Sequence, residues 1–260
     1  MSEQKQKLTV AQIQDKKGNE KLSMVTCYDY SFAGILDRRV DIILVGDSMG
    51  HVILGFEKTA HVRMEDILRH LGAVRRGAPD TFVVGDLVAG SYENADQAIR
   101  HAETLLEEGA DAVKPEGKPE IVAELVKADI PVMAHLGYLP QTAERFTVVG
   151  RSRDEADLLL QQSKTMEQAG AFSLILECVP SSLAGKITRQ LNIPTIGIGS
   201  GVECDGQVLV LYDLLGLFTK FKPKFVRRYL NLSFLVGKAV DQYVQDIKNK
   251  SFPAQEEEYT

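Results

Sequence analysis

The chain has 260 residues, 44% of them hydrophobic, enough to bury one large core. Its 30 basic and 36 acidic residues leave a net charge of −6, which argues against nucleic acid or an anionic membrane as the main partner. No apolar run approaches a membrane span, the opening lacks a signal-peptide core, and the three cysteines (Cys27, Cys178, Cys204) form no CxxC pair; these features read as a cytoplasmic protein with reduced thiols.

Residues 1–22 read as a polar lead-in with room for one short helix. From residue 23, short runs rich in Val, Ile and Leu begin: SMVTCYD (23–29), DIILVGD (41–47), TFVVGD (81–86), DAVKPE (111–116), IPVMAH (130–135), SLILE (173–177), IPTIGIG (193–199) and QVLVLYD (207–213). Each suits a parallel strand covered on both faces. Between them lie amphipathic segments, clearest at NADQAIRHAETLLEEGA (94–110) and RDEADLLLQQSKTMEQAGA (153–171), both ending near Gly as a helix C-cap prefers. Asn94, Asp96 and Asp154 sit where N-caps or first-turn acids are favoured. Eight such runs alternating with helices predict an α/β fold, a single (βα)8 TIM barrel, with an open doubly wound sheet as the alternative. The barrel domain is expected over 23–248, including a C-terminal helical region, and 249–260 reads as a loose tail.

The ends of these runs carry the chemistry. Asp47 ends the second, Asp86 the third, Glu116 follows the fourth, His135 ends the fifth and Glu177 ends the sixth. A single acid after a strand is ordinarily the N-cap of the next helix. Capping does not account for ionisable residues at five successive strand ends, which a parallel barrel gathers at one mouth. Lys114, two residues before Glu116, shares its side of an extended chain. Clustered carboxylates repel unless a cation compensates, and oxygen-only ligands favour magnesium over zinc. Magnesium leaves positions open for a bidentate 2-oxo acid, acts on its carbonyl as a Lewis acid, and leaves one carboxylate free as the base. Spacing alone does not say which acid that is. TIGIGSGVECDG (195–206) holds G-x-G-x-G rather than a dinucleotide fingerprint; it reads as a tight turn or as a close backbone approach to a ligand. The basic stretch KFKPKFVRR (220–228) reads first as a solvated helix entrance and second as a receiver of an acidic substrate tail.

The motifs TCYDYSFA, VGDSMG, AVRRGAP, VGDL, AVKPEG, AHLGYLPQ, LILECVP, IPTIGIGSG and DGQVLVLYDLLGL follow one another in an order that resembles the ketopantoate hydroxymethyltransferase family, and PKFVRRYLNL extends the likeness towards the C-terminus. The resemblance implies a (βα)8 barrel of the phosphoenolpyruvate/pyruvate type, magnesium as cofactor, and a homo-oligomer, commonly a decamer. It also implies transfer of a hydroxymethyl group from 5,10-methylenetetrahydrofolate to 3-methyl-2-oxobutanoate. By motif, Asp47, Asp86 and Glu116 match the metal positions. Asp47, Ser48, Asp86, Lys114 and His135 match positions lining the oxo-acid site, and Glu177 matches the proton acceptor. Departures fall at TAHVR (59–63), at a shortened loop AERFTVVGRSRDE (143–155), at Gly199–Gly201 and at Tyr212–Asp213. They spare the metal and base positions and bear on folate contacts. Two other readings remain at this stage. One is a magnesium-dependent lyase or mutase of the phosphoenolpyruvate mutase/isocitrate lyase group, although its usual KKCGH-type loop is absent; the other is a non-catalytic barrel.

Overall fold

A computed structural model describes residues 6–259; residues 1–5 of the lead-in and Thr260 of the tail lie outside the described residues. Each apolar run contributes a strand: β1 (Leu22–Thr26), β2 (Ile42–Val45), β3 (Phe82–Asp86), β4 (Ala112–Lys114), β5 (Met133–Gly137), β6 (Ser173–Glu177), β7 (Thr195–Ile198) and β8 (Gly206–Leu209). They run parallel in the order β4-β3-β2-β1-β8-β7-β6-β5, with Met24 facing Ile42 on one side and Val208 on the other. A bridge from Val113 to Val132, just ahead of β5, brings the two ends of this row together. The sheet is therefore a nearly closed barrel and not an open doubly wound sheet.

The chain divides into two compact units, Met1–Val210 and Leu211–Thr260. The first holds the barrel with α1 (Val10–Asp15), α2 (Tyr30–Leu36), α3 (Met49–Val52), α4 (Met64–Gly77), α5 (Ala95–Glu107), α6 (Pro119–Lys127), α7 (Arg153–Gln168) and α8 (Ser181–Gln190). The second holds α9 (Leu211–Leu214) and α10 (Leu232–Lys248). Helix starts follow local chemistry. Asn94 caps α5 by accepting the Gln97 N–H at 3.0 Å, with Asp96 in the first turn, and Ala98, Ala102 and Leu105 form the buried stripe. Ser152 caps α7 in a reciprocal box with Glu155, leaving Asp154 as the first-turn acid.

Inside the barrel the period of two is visible as rows. Leu22 and Met24, Ile42 and Leu44, Phe82 and Val84, Met133, Ile175 and Val208 belong to one core, with Phe82 and Phe172 in edge-to-face contact at 6.0 Å. The lead-in is more than polar: Ile13 on α1 is fully buried in this core, and Leu8 and Val10 pack against it. Residues 8–13 thus stopper the barrel at the end where the strands begin.

Two boundaries differ from the sequence reading. Pairing of β5 runs from Met133 to Gly137, with Leu136 facing Leu176 and Gly137 facing Glu177, which places His135 inside the strand and not at its end. The eighth run stops at Leu209, and Tyr212 and Asp213 fall in α9.

Candidate active site

The rows that fill the core continue upward into ionisable side chains. Phe82 and Val84 lead to Asp86, Ala112 leads to Lys114 and Glu116, Met133 leads to His135, and Ile175 leads to Glu177. Each step is two residues, so each of these side chains inherits an inward direction from the apolar residue before it. Asp47 arrives differently. The chain leaves β2 at Gly46, and the Asp47 amide turns back to donate to Asp86 Oδ2 at 2.9 Å.

These residues meet. Lys114 Nζ lies 3.1 Å from Asp86 Oδ1, at ion-pair distance but off the direction a hydrogen bond needs. His135 stands between two glutamates, Nδ1 at 3.3 Å from Glu116 Oε1 and Nε2 at 3.4 Å from Glu177 Oε2. Asp47, Asp86, Lys114, Glu116 and His135 are all buried, whereas the Glu177 side chain remains 17% exposed. Ser48, half-buried, shares a 2.8 Å hydrogen bond with the Tyr28 hydroxyl. The sequence-predicted residues from Asp47 to Glu177 therefore converge at the C-terminal ends of the strands.

Burial and neighbouring charge set the protonation states. Burial, reinforced by Asp86 and Glu116, pushes the Asp47 carboxyl up to about 8. Burial also raises Asp86, against the opposing pull of Lys114. For Lys114, burial works against the charge, but Asp86, Glu116 and Asp47 prevail and raise its pKa. Burial and Lys114 likewise disfavour the imidazolium of His135, yet hydrogen bonding to Glu116 and Glu177 outweighs them and lifts it to about 9. Burial resists the Glu116 charge too, but His135 and Lys114 hold that carboxyl below its usual range. At neutral pH the mouth thus contains a buried ammonium, an imidazolium, the Glu116 carboxylate and an Asp47 carboxyl that keeps its proton beside Asp86.

Three contributors were missed from sequence. The Tyr92 hydroxyl donates to Gln141 Oε1 at 2.6 Å and accepts the Glu116 N–H at 3.3 Å. Gln141 returns its own N–H to Glu116 Oε2 at 3.1 Å and ties its side-chain amide to the Leu87 carbonyl at 2.9 Å. Tyr28 orients Ser48. Gln141 and Tyr28 lie inside the motifs AHLGYLPQ and TCYDYSFA; Tyr92 lies in no motif. The G-x-G-x-G stretch serves as a turn: Gly199 and Gly201 have φ of 67° and 88°, and a Cβ on Gly201 would sit 2.4 Å from Ser181 Cβ.

Among the described residues no group of three or more His, Cys, Asp or Glu side chains is disposed to hold a metal ion. The donor set nevertheless suits magnesium, which needs only one or two carboxylates and keeps water at its other positions. Asp47 Oδ2 and Asp86 Oδ1 are buried with no hydrogen-bond partner. Glu116 Oε2 accepts the Gln141 N–H, and its Oε1 lies 3.3 Å from His135 Nδ1.

A family model described as ketopantoate hydroxymethyltransferase matches residues 7–255. The 3-methyl-2-oxobutanoate hydroxymethyltransferase of Syntrophus aciditrophicus is 48% identical over 254 residues, spanning 94% of this chain and 93% of its own. That of Desulfotalea psychrophila is 47% identical over 255 residues, spanning 94% and 91%. Among solved structures, a 2,3-dimethylmalate lyase of the PEP mutase/isocitrate lyase superfamily superposes with a TM-score of 0.64 over 97% of this chain and 92% of its own. Its sequence is 14% identical, so that likeness is one of fold.

Proposed function

The chain belongs to the ketopantoate hydroxymethyltransferase family, and on that premise we propose that the cluster at the barrel mouth removes the C3 proton of the oxo acid and holds the resulting enolate for carbon–carbon bond formation. The chain is a hydroxymethyltransferase acting on 3-methyl-2-oxobutanoate to give 2-dehydropantoate, the step that commits carbon to pantothenate. The one-carbon donor in this reading is 5,10-methylenetetrahydrofolate, with water supplying the hydroxyl and tetrahydrofolate leaving. The lyase or mutase alternative rests only on a shared fold.

The observation that carries the reading is the pair of buried oxygens on Asp47 and Asp86 that lack a hydrogen bond, the latter ion-paired with the buried Lys114 ammonium. Asp47 and Asp86, with Glu116 beside them, would hold magnesium, which would supply Lewis acidity to the keto oxygen of the oxo acid. Lys114 and Ser48 receive the substrate carboxylate, Lys114 by charge and Ser48 with its hydroxyl steadied by Tyr28. Glu177, the most open carboxylate of the cluster, takes the C3 proton. His135 is not the base in this reading, because the two glutamates keep it protonated at neutral pH; it fixes Glu177 and offers a proton to developing negative charge. Glu116 holds His135 from the other side, and Tyr92 and Gln141 hold Glu116.

We further propose a homo-oligomer, a decamer by family resemblance. Large apolar side chains on α10, among them Phe234, Leu235, Val240, Tyr243 and Ile247, remain exposed and support association. Three free, buried cysteines support a cytoplasmic setting. Among the described residues no helix is long and apolar enough to cross a membrane. A product assay with 3-methyl-2-oxobutanoate and methylenetetrahydrofolate tests the function. Turnover should cease in excess chelator and return with added magnesium; full turnover in chelator would remove the metal from the site.

A further inference from the structure

A buried serine braces the corner that carries the base. Pairing of β6 with β7 ends at Glu177 opposite Ile198, and the chain then turns through Cys178 at φ 52°. A residue with a side chain stays in that left-handed conformation only where its surroundings hold it there. Main-chain bonds supply part of the hold. The Cys178 N–H donates to the Ile198 carbonyl at 2.8 Å, the Val149 N–H to the Cys178 carbonyl at 3.0 Å, and the Tyr138 N–H to the Glu177 carbonyl at 2.8 Å.

Ser200 adds a side chain to this hold. It lies within the G-x-G-x-G stretch, between Gly199 and Gly201, and is 1% exposed. Its hydroxyl donates to the Leu176 carbonyl at 2.7 Å and accepts the N–H of buried Val179 at 3.1 Å. One hydroxyl thus ties the residue before Glu177 to the second residue after it, and closes a ring around the Glu177–Cys178 step. The Glu177 carboxylate has little else to aim it. Its charged neighbour is His135, with Nε2 3.4 Å from Oε2, and the rest of the side chain follows the main chain from which it leaves.

We propose that Ser200 is a positioning residue for Glu177: its bridge from Leu176 to Val179 sets where the carboxylate stands when it takes the C3 proton. The inference rests on the reading of Glu177 as the base. In that step the C3–H bond breaks, the proton passes to the carboxylate, and the electron pair remains on the oxo acid as the enolate. Ser200 is buried and acts through the main chain, so its loss should slow proton transfer and leave binding of the oxo acid intact.

The test uses the full chain with magnesium and reads C3 exchange of 3-methyl-2-oxobutanoate in deuterated water, without folate, beside calorimetric binding of the oxo acid. Ser200→Ala removes both bonds and leaves the Val179 N–H buried without its partner. Its saturated exchange rate should fall about tenfold, the scale of a base displaced by a fraction of an ångström, while the oxo-acid dissociation constant stays within about twofold. Ser173→Ala is the control for lost packing on the same strand. Ser173 is fully buried four residues before Glu177 and donates to the Pro194 carbonyl at 2.9 Å. That variant should lower the urea midpoint comparably to Ser200→Ala yet exchange C3 like wild type. An unchanged rate in Ser200→Ala, an equal loss in Ser173→Ala, or a slower rate matched by weaker oxo-acid binding overturns the proposal. If Ser200→Ala does not fold, Ser200→Cys, which keeps the volume and weakens both bonds, decides by the same readings. Glu177→Gln measured alongside separates the inference from its premise. Exchange that survives that substitution removes Glu177 as the base and this role with it, whereas exchange lost there and kept in Ser200→Ala removes the role of Ser200 alone.

Discussion

Buried aspartates occupy both ends of this barrel, in very different company. At the end where strands begin, Asp205 accepts from Lys17 Nζ at 2.7 Å, from Thr195 N–H at 2.8 Å and from Gly18 N–H at 3.1 Å. Asp41 takes the Ser23 amide at 2.8 Å and its hydroxyl at 2.5 Å, and Asp111 joins Val83 N–H, Arg75 and Lys7. At the end where strands finish, Asp47 Oδ2 and Asp86 Oδ1 are buried without a hydrogen bond, Asp86 Oδ1 facing the Lys114 ammonium at 3.1 Å. The pKa directions follow. Burial opposes the Asp205 charge, but Lys17 and the amides outweigh it and hold the carboxyl below its usual range. Burial with like charges drives Asp47 up to about 8. Hydrogen-bonded acids brace the barrel at one end, while the proposed function uses the unsatisfied ones at the other as ligands.

The largest effect should come from the mouth. Glu177→Gln is expected to keep oxo-acid and magnesium binding but to lose turnover by roughly a hundredfold or more, the usual cost of a missing general base. Steady-state kinetics alongside calorimetry would check this; a variant as active as wild type would move the base elsewhere, to His135 first.

Two matched substitutions sharpen the contrast between the ends. Asp205→Asn should destabilise the fold by about 1–3 kcal/mol, because it breaks an ion pair and leaves buried donors poorly matched. Asp47→Asn should leave metal-free stability unchanged or improved, since it relieves like-charge crowding, yet it should weaken magnesium binding and turnover. Urea unfolding with and without magnesium measures both. Equal destabilisation by the two would erase the distinction.

The same two ends should respond to pH with opposite sign. Asp47 holds its proton more tightly folded, near 8, than unfolded, near 3.8, so its contribution is present in acid and is lost as pH rises through 8. His135, raised from 6.5 to about 9, acts likewise, with its stabilisation present below 6.5 and lost as pH passes 9. Asp205, lowered from 3.8, stabilises above that value and loses its contribution as pH falls through its depressed folded pKa. Thermal unfolding of the metal-free protein should therefore weaken between neutral pH and pH 9, and magnesium should restore more at pH 8.5 than at pH 6. A magnesium effect that ignores pH would argue against Asp47 as a ligand.

The smallest expected effect is at Tyr92. Tyr92→Phe removes the hydroxyl joining Gln141 to the Glu116 amide, and should lower turnover several-fold while changing stability by about 1 kcal/mol or less. Unchanged kinetics would detach Tyr92 from the site.

Much of this arrangement is legible in the sequence because it follows the strand period. Phe82, Val84 and Asp86 alternate in the text as they do in the barrel, and Ala112, Lys114 and Glu116 do the same. What sequence could not supply depends on chain crossings. Tyr92 and Gln141 meet across 49 residues of chain from two different loops, with no periodicity to join them. Ile13 lies in a segment whose composition is polar, and only the closed barrel reveals the apolar end it fills. The position of His135 inside β5 follows from pairing with β6 that continues past it through Leu136 and Gly137, a partner's contribution that the run itself does not announce. The G-x-G-x-G stretch, open between turn and ligand contact in the sequence, brings Gly201 against Ser181 at the start of α8, a contact across 20 residues that spacing does not reveal.

Hydrogen exchange at C3 of 3-methyl-2-oxobutanoate in deuterated water, with magnesium and without any folate, is the most direct measure of what the unsatisfied end does. In the proposed mechanism proton removal by Glu177 precedes any contact with the donor, so wild type should exchange that hydrogen while Glu177→Gln and chelated wild type should not. A wild-type protein that binds the oxo acid and magnesium yet leaves C3 unexchanged would contradict the assignment of the mouth as an enolising site.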